Sequence, residues 1–162
     1  MVLVIIGVSG SGKTTVASLL AELLKCDFAE GDSFHPAANV DKMARGVPLT
    51  DEDRRPWLQA IAAWIDVTRR AGRCGIVTCS ALKKSHRDIV IGSRPDVRLV
   101  YLKGDANLIR QRLSRRKGHF MPPALLESQL EALEEPGPDE KPIVVRIDAE
   151  PRAIAKRILA ML

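Results

Sequence analysis

At 162 residues, with 46% hydrophobic and 28% charged residues, the chain has the make-up of one ordinary globular domain spanning 1–162. A net charge of +5 raises nucleic acid as a partner, but aromatics are only 4% and are not interleaved with the basic groups, so anionic small molecules are the better reading. No apolar stretch approaches membrane-spanning length, and three cysteines without a C-x-x-C spacing (Cys26, Cys74, Cys79) fit a reducing cytoplasm.

The chain opens on Val2-Leu3-Val4-Ile5-Ile6, an unbroken aliphatic run that reads as a central parallel strand covered on both faces, not as a signal peptide. Gly7-Val8-Ser9-Gly10-Ser11-Gly12-Lys13-Thr14 follows and meets the G-x-x-x-x-G-K-[ST] pattern in full. Beyond it Val16, Leu19, Leu20, Leu23 and Leu24 recur at helical spacing, so the loop lies where a phosphate-binding loop works, between a buried strand and a helix N-terminus. Backbone N–H groups from Gly7 through Thr15 are expected to cradle phosphates, with Lys13 on the β- and γ-phosphates and the Thr14 hydroxyl on Mg²⁺.

Residues 27–30 form a short second strand ending at Glu30-Gly31-Asp32, then comes a turn through His35-Pro36 and a short helix over 37–45. Acids and a histidine just past a strand's C-terminal end lie where open α/β sheets bind ligands, which favours a site role for Asp32 and His35 over a capping aspartate and a turn histidine. Thr50 to Asp53 is a capping-type start, and Pro56 suits the first turn of a helix reaching about Ala71, with Trp57, Ile61, Trp64, Ile65 and Thr68 inward. Both tryptophans read as core. Arg54 and Arg55 are as well explained by a solvated pair as by a clamp on a carboxylate.

Gly75 to Cys79 is the third buried strand, and it ends in a cysteine and Ser80 where such folds usually place a metal-organising aspartate. Glu30, Asp32 or Ser80 is left to hold the metal's water shell, unless Thr14 and the nucleotide suffice. A helix carrying His86 and Arg87 leads to a fourth strand at 97–102 and a helix over 106–116, on which Arg112 and Arg116 share a face at i and i+4. The segment 117–123 between that helix and the next, 125–133, reads as a lid. Residues 143–147 give the fifth strand and 150–162 a closing helix. Five alternations of strand and helix imply an α/β fold, a five-stranded parallel sheet with helices on both faces.

Taken together, several segments are more selective than the loop: Gly31-Asp32-Ser33-Phe34-His35-Pro36, Asp53-Arg54-Arg55-Pro56-Trp57-Leu58, Cys79-Ser80-Ala81-Leu82-Lys83-Lys84 and Lys117-Gly118-His119-Phe120. On these, over nearly its whole length, the chain closely resembles the thermoresistant-type gluconokinases, small P-loop relatives of shikimate and adenylate kinases. The resemblance implies the P-loop NTPase fold and ATP-dependent phosphorylation of D-gluconate at its 6-hydroxyl, in a possible homodimer. It implies Asp32 facing the acceptor hydroxyl, Arg112 on adenine and Arg116 approaching the phosphates from the lid. Arg54, Lys83 and Arg87 are candidates for the gluconate carboxylate, and His35 and Gln129 for its hydroxyls. One departure stands out, Glu30-Gly31-Asp32 where Asp-Gly-Asp is expected. The rival readings are a kinase of the same architecture acting on shikimate or a nucleoside monophosphate, and a nucleotide-binding regulatory module.

Overall fold

Strand β1 (Val2–Ile6) is buried at all five positions, as an aliphatic run with no polar face must be. The computed structural model describes residues 1–115 and 123–162. After β1 come helix α1 (Lys13–Leu24), strand β2 (Asp27–Ala29), a 3₁₀ turn at Gly31–Phe34, helices α2 (Ala37–Ala44) and α3 (Asp51–Arg70), and strand β3 (Gly75–Cys79). Then follow α4 (Lys84–Val90), β4 (Val97–Lys103), α5 (Ala106–Arg115), α6 (Pro123–Ala132), β5 (Ile143–Arg146) and α7 (Pro151–Ala160). The expected order of elements is therefore present. The expected lid at 117–123, and Arg116 before it, fall almost wholly outside the described residues.

All four strand pairings are parallel, and the sheet order is β2-β3-β1-β4-β5. Side chains alternate across β1, so Leu3 and Ile5 pack into one core layer with Val16 and Leu20 of α1, Ile109 of α5 and Ile154 and Ile158 of α7. Val2, Val4 and Ile6 pack into the other with Trp57, Leu58, Ile61 and Ile65 of α3. Each such fully buried side chain contributes about 1.5–3 kcal/mol of transfer free energy, which makes β1 the best-anchored strand. The chain leaves β1 toward β2 and β3 on one side and reaches β4 on the other, so the loop after β1 opens at the switch point where such sheets form a crevice.

Two expectations need correction. Helix α3 begins at Asp51, ahead of Arg54 and Arg55, because Thr50 and Asp53 close a reciprocal capping box; Pro56 therefore sits in its second turn. Cys26 and Cys74 are joined by a disulfide, with Cα atoms 4.7 Å apart. They immediately precede β2 and β3, whose first residues Asp27 and Gly75 are paired, so strand pairing brings together cysteines 48 positions apart. That bond removes the cysteine pattern as support for a reducing compartment. No helix among the described residues is long and apolar enough to cross a membrane.

Candidate active site

The phosphate loop turns into α1 through Gly12, which caps the helix in the left-handed region at φ 88°, where a side chain would be strained. Lys13 bends back over the loop and donates to the carbonyls of Gly7 at 2.9 Å and Val8 at 3.0 Å. The Ser9 amide donates to Gln129 Oε1 at 2.8 Å, so α6 is tied directly to the loop. A cavity of about 560 Å³ opens along the loop, lined by residues 9–16 with Glu30, Asp32 and Arg112 among others. Arg112 is held there by a hydrogen bond from Nη2 to the Ile147 carbonyl at 2.7 Å. Gly7 and Val8 contribute through their carbonyls to Lys13 and do not line this cavity.

Just past β2, Glu30 has both carboxylate oxygens engaged: the Thr14 hydroxyl donates to Oε2 at 2.5 Å and the Thr78 hydroxyl donates to Oε1. Thr78 also accepts from the Gly31 amide at 3.0 Å, and the Trp57 indole N–H donates to the Gly31 carbonyl at 2.7 Å. A Cβ on Gly31 would collide with the Thr78 carbonyl, so only glycine lets the chain cross β3 this closely. With its proton committed to Glu30, the Thr14 oxygen keeps lone pairs for a hard cation, and this donor set fits Mg²⁺. Among the described residues no group of three or more His, Cys, Asp or Glu could hold a metal ion.

A second cavity, about 370 Å³, adjoins the first. Ser9, Lys13 and Asp32 line both cavities. The second is walled by His35, Arg54, Trp57, Ser80 and Gln129, with Val40, Met43, Leu49 and Leu125 among its apolar surface. Arg54 donates from Nη1 to the Leu49 carbonyl at 2.6 Å and stands 4.0 Å from Asp51. His35 stacks on Trp57 at 4.2 Å between ring centroids, 16° from parallel. Burial pulls the His35 pKa down to about 4; Asp32 opposes the shift and Arg54 adds to it, so the ring is neutral near pH 7.

Two expected carboxylate ligands are not brought here. Lys83 pairs with Asp51 at 3.2 Å, and Arg87 is 2% exposed, forked onto Glu140 at 2.6 and 3.0 Å and donating to the Ala81 and Leu82 carbonyls. Neither lines the second cavity. A buried guanidinium with every nitrogen bonded, two of them to one carboxylate, organises structure, tying α4 to the segment before β5. Arg116 lies outside the described residues. Sequence reasoning missed Thr78 and took Trp57 for core alone; the tryptophan is 1% exposed, yet its ring and N–H shape the site.

A phosphate loop at the switch point, sharing an acid and a lysine with a second, acceptor-sized cavity, defines a P-loop small-molecule kinase. Residues 2–136 match a protein family described as an AAA domain. Among curated relatives, a thermosensitive gluconokinase of Escherichia coli K12 is 50% identical over 90% of this chain and 77% of its own. A gluconokinase of Gluconobacter oxydans is 46% identical over 97% and 88%. Among solved structures, a gluconokinase from Sinorhizobium meliloti aligns with a TM-score of 0.87 at 41% identity, covering 98% of this chain and 89% of that one. The chain belongs to the gluconokinase family. A shikimate kinase from Aquifex aeolicus, at TM-score 0.59 and 17% identity, shares the fold alone.

Proposed function

We propose that this enzyme transfers the γ-phosphoryl group of ATP to the 6-hydroxyl of D-gluconate, giving 6-phosphogluconate and ADP. The observation that carries this reading is that Lys13 and Asp32 line both cavities, the one along the phosphate loop and the one beside it. Phosphoryl transfer needs alignment and charge neutralisation more than covalent help. Asp32 takes the proton of the acceptor hydroxyl as its oxygen forms the new O–P bond and the bond to the β-phosphate oxygen breaks. Lys13 exchanges its loop carbonyls for phosphate oxygens. Arg54, His35 and Gln129 all line the second cavity, and in this reading Arg54 takes the sugar-acid carboxylate while His35 and Gln129 meet hydroxyls.

Thr14 would hold Mg²⁺, with Glu30 fixing the direction of its hydroxyl. When bound, that ion offsets negative charge on the phosphates. Arg112 belongs to the adenine side and Arg116 to the phosphates in the same proposal. A homodimer is part of it too, resting on the resemblance, as is a cytoplasmic location, expected from the N-terminal run reading as a strand and not a signal peptide.

The test is coupled ADP release with ATP and Mg²⁺ across gluconate, shikimate, AMP and no acceptor. Turnover with gluconate well above the blank is expected. Activity confined to another acceptor would replace the substrate and leave the fold, and nucleotide binding with flat release would point to a regulatory module.

A further inference from the structure

We propose that Asn39 is a positioning residue that locks His35 as a hydrogen-bond donor, with its proton on Nε2, so that the acceptor cavity selects a ligand oxygen able to accept there. The proposal deepens the kinase reading above and rests on it for the identity of that ligand. Asn39 lies on α2, 3% exposed. Its Nδ2 donates to the Asp53 backbone carbonyl at 2.8 Å. A carbonyl only accepts, so the amide's nitrogen and not its oxygen must point this way. The same nitrogen stands 3.2 Å from His35 Nδ1. Its second N–H therefore meets Nδ1, which has to present a lone pair, and the neutral ring carries its proton on Nε2.

Protonating Nδ1 would set N–H against N–H, so the contact also opposes the imidazolium. The depressed pKa agrees with that, and the charged groups acting on the ring are Asp32 and Arg54. Stacking on Trp57 fixes the ring plane. With Nδ1 turned to Asn39, the cavity is left with Nε2–H. A hydroxyl or carboxylate oxygen satisfies that donor; an ammonium or other donor-only group leaves it buried and unpaired, at a real cost in binding.

The first experiment is imidazole ¹⁵N–¹H correlation spectroscopy on the full chain without ligand at neutral pH, with the His35 signals assigned by their loss in His35→Gln. A protonated Nε2 beside an unprotonated Nδ1 is expected; a protonated Nδ1, or a mixture, overturns the proposal. Asn39→Asp can only accept, so it should draw the proton to Nδ1. It should raise the gluconate KM about tenfold while the ATP KM stays within about twofold. In the His35→Gln background the same change should add less than about twofold, whereas full additivity would show that Asn39 acts structurally and not through His35. Should Asn39→Asp not fold, the wild-type spectrum decides alone. A wild-type chain inactive on gluconate would remove the functional reading and leave the tautomer result standing.

Discussion

Glu30 and Asp32 stand two positions apart, yet their surroundings give them different work. Both Glu30 oxygens are taken up by the hydroxyls of Thr14 and Thr78, whereas Asp32 borders both cavities. Asp32→Asn preserves shape and removes the proton acceptor, so turnover should fall at least about 100-fold. Nucleotide affinity, read by calorimetric titration beside steady-state kinetics, should move by less than about threefold. A variant turning over within about tenfold of wild type would take Asp32 out of proton acceptance. The placement of Asp32 at the cavities was legible in the sequence because it follows a strand beside a phosphate loop. Lys83 and Arg87 were not, because a sequence displays a charge but not its partner. The partner of Arg87, Glu140, is 53 positions away, and that of Lys83, Asp51, is 32 away. Trp57 was half legible: its helical spacing marked it as inward, but only the fold shows the Gly31 carbonyl that its N–H meets and the histidine stacked on its ring.

At the scale of elements, β2 has little to hold it by its own sequence. It is three residues long, at the sheet edge, with Asp27 and Phe28 exposed, yet it delivers Glu30 and Asp32 to the crevice. Pairing to β3, the Cys26–Cys74 bond, the 2.7 Å ion pair of Arg73 with Asp27 and the Thr78 and Trp57 bonds to Gly31 supply what burial does not. Closing a 48-residue separation restricts the unfolded chain by about 4 kcal/mol in the loop-entropy account. Cys26→Ser should accordingly lower the melting temperature by about 5–15 °C in a non-reducing buffer. Reductant should bring the wild type down to the variant and leave the variant unmoved; coincident melting curves throughout would show that the bond contributes nothing to stability. Strands β1, β3, β4 and β5 were legible as largely apolar runs of strand length, and β2 only as a brief, weakly patterned candidate. This bond was not, since adjacency of β2 and β3 is a property of sheet order and no local spacing encodes it.

For the whole molecule, the fold is held in common with the shikimate kinase, so the architecture by itself does not choose what is phosphorylated. The choice falls to the acceptor cavity. Among the described residues that line it, the cationic side chains are Lys13 and Arg54, and the proposed mechanism assigns Lys13 to the phosphates. In the proposed function Arg54 is then the group that separates a sugar acid from the neutral polyol of the same length. A charged hydrogen bond of about 1.5–3 kcal/mol corresponds to a rise of roughly 10- to 100-fold in the gluconate KM on Arg54→Ala. The ATP KM should stay within about threefold, and the polyol, having no carboxylate to lose, should be used no worse than by the wild type. Arg54 also donates to the Leu49 carbonyl just ahead of α3, so a structural role makes a different forecast. If that bond were the residue's whole contribution, loosening the 49–51 turn would weaken both acceptors by similar factors, and the ratio of their kcat/KM values would not change.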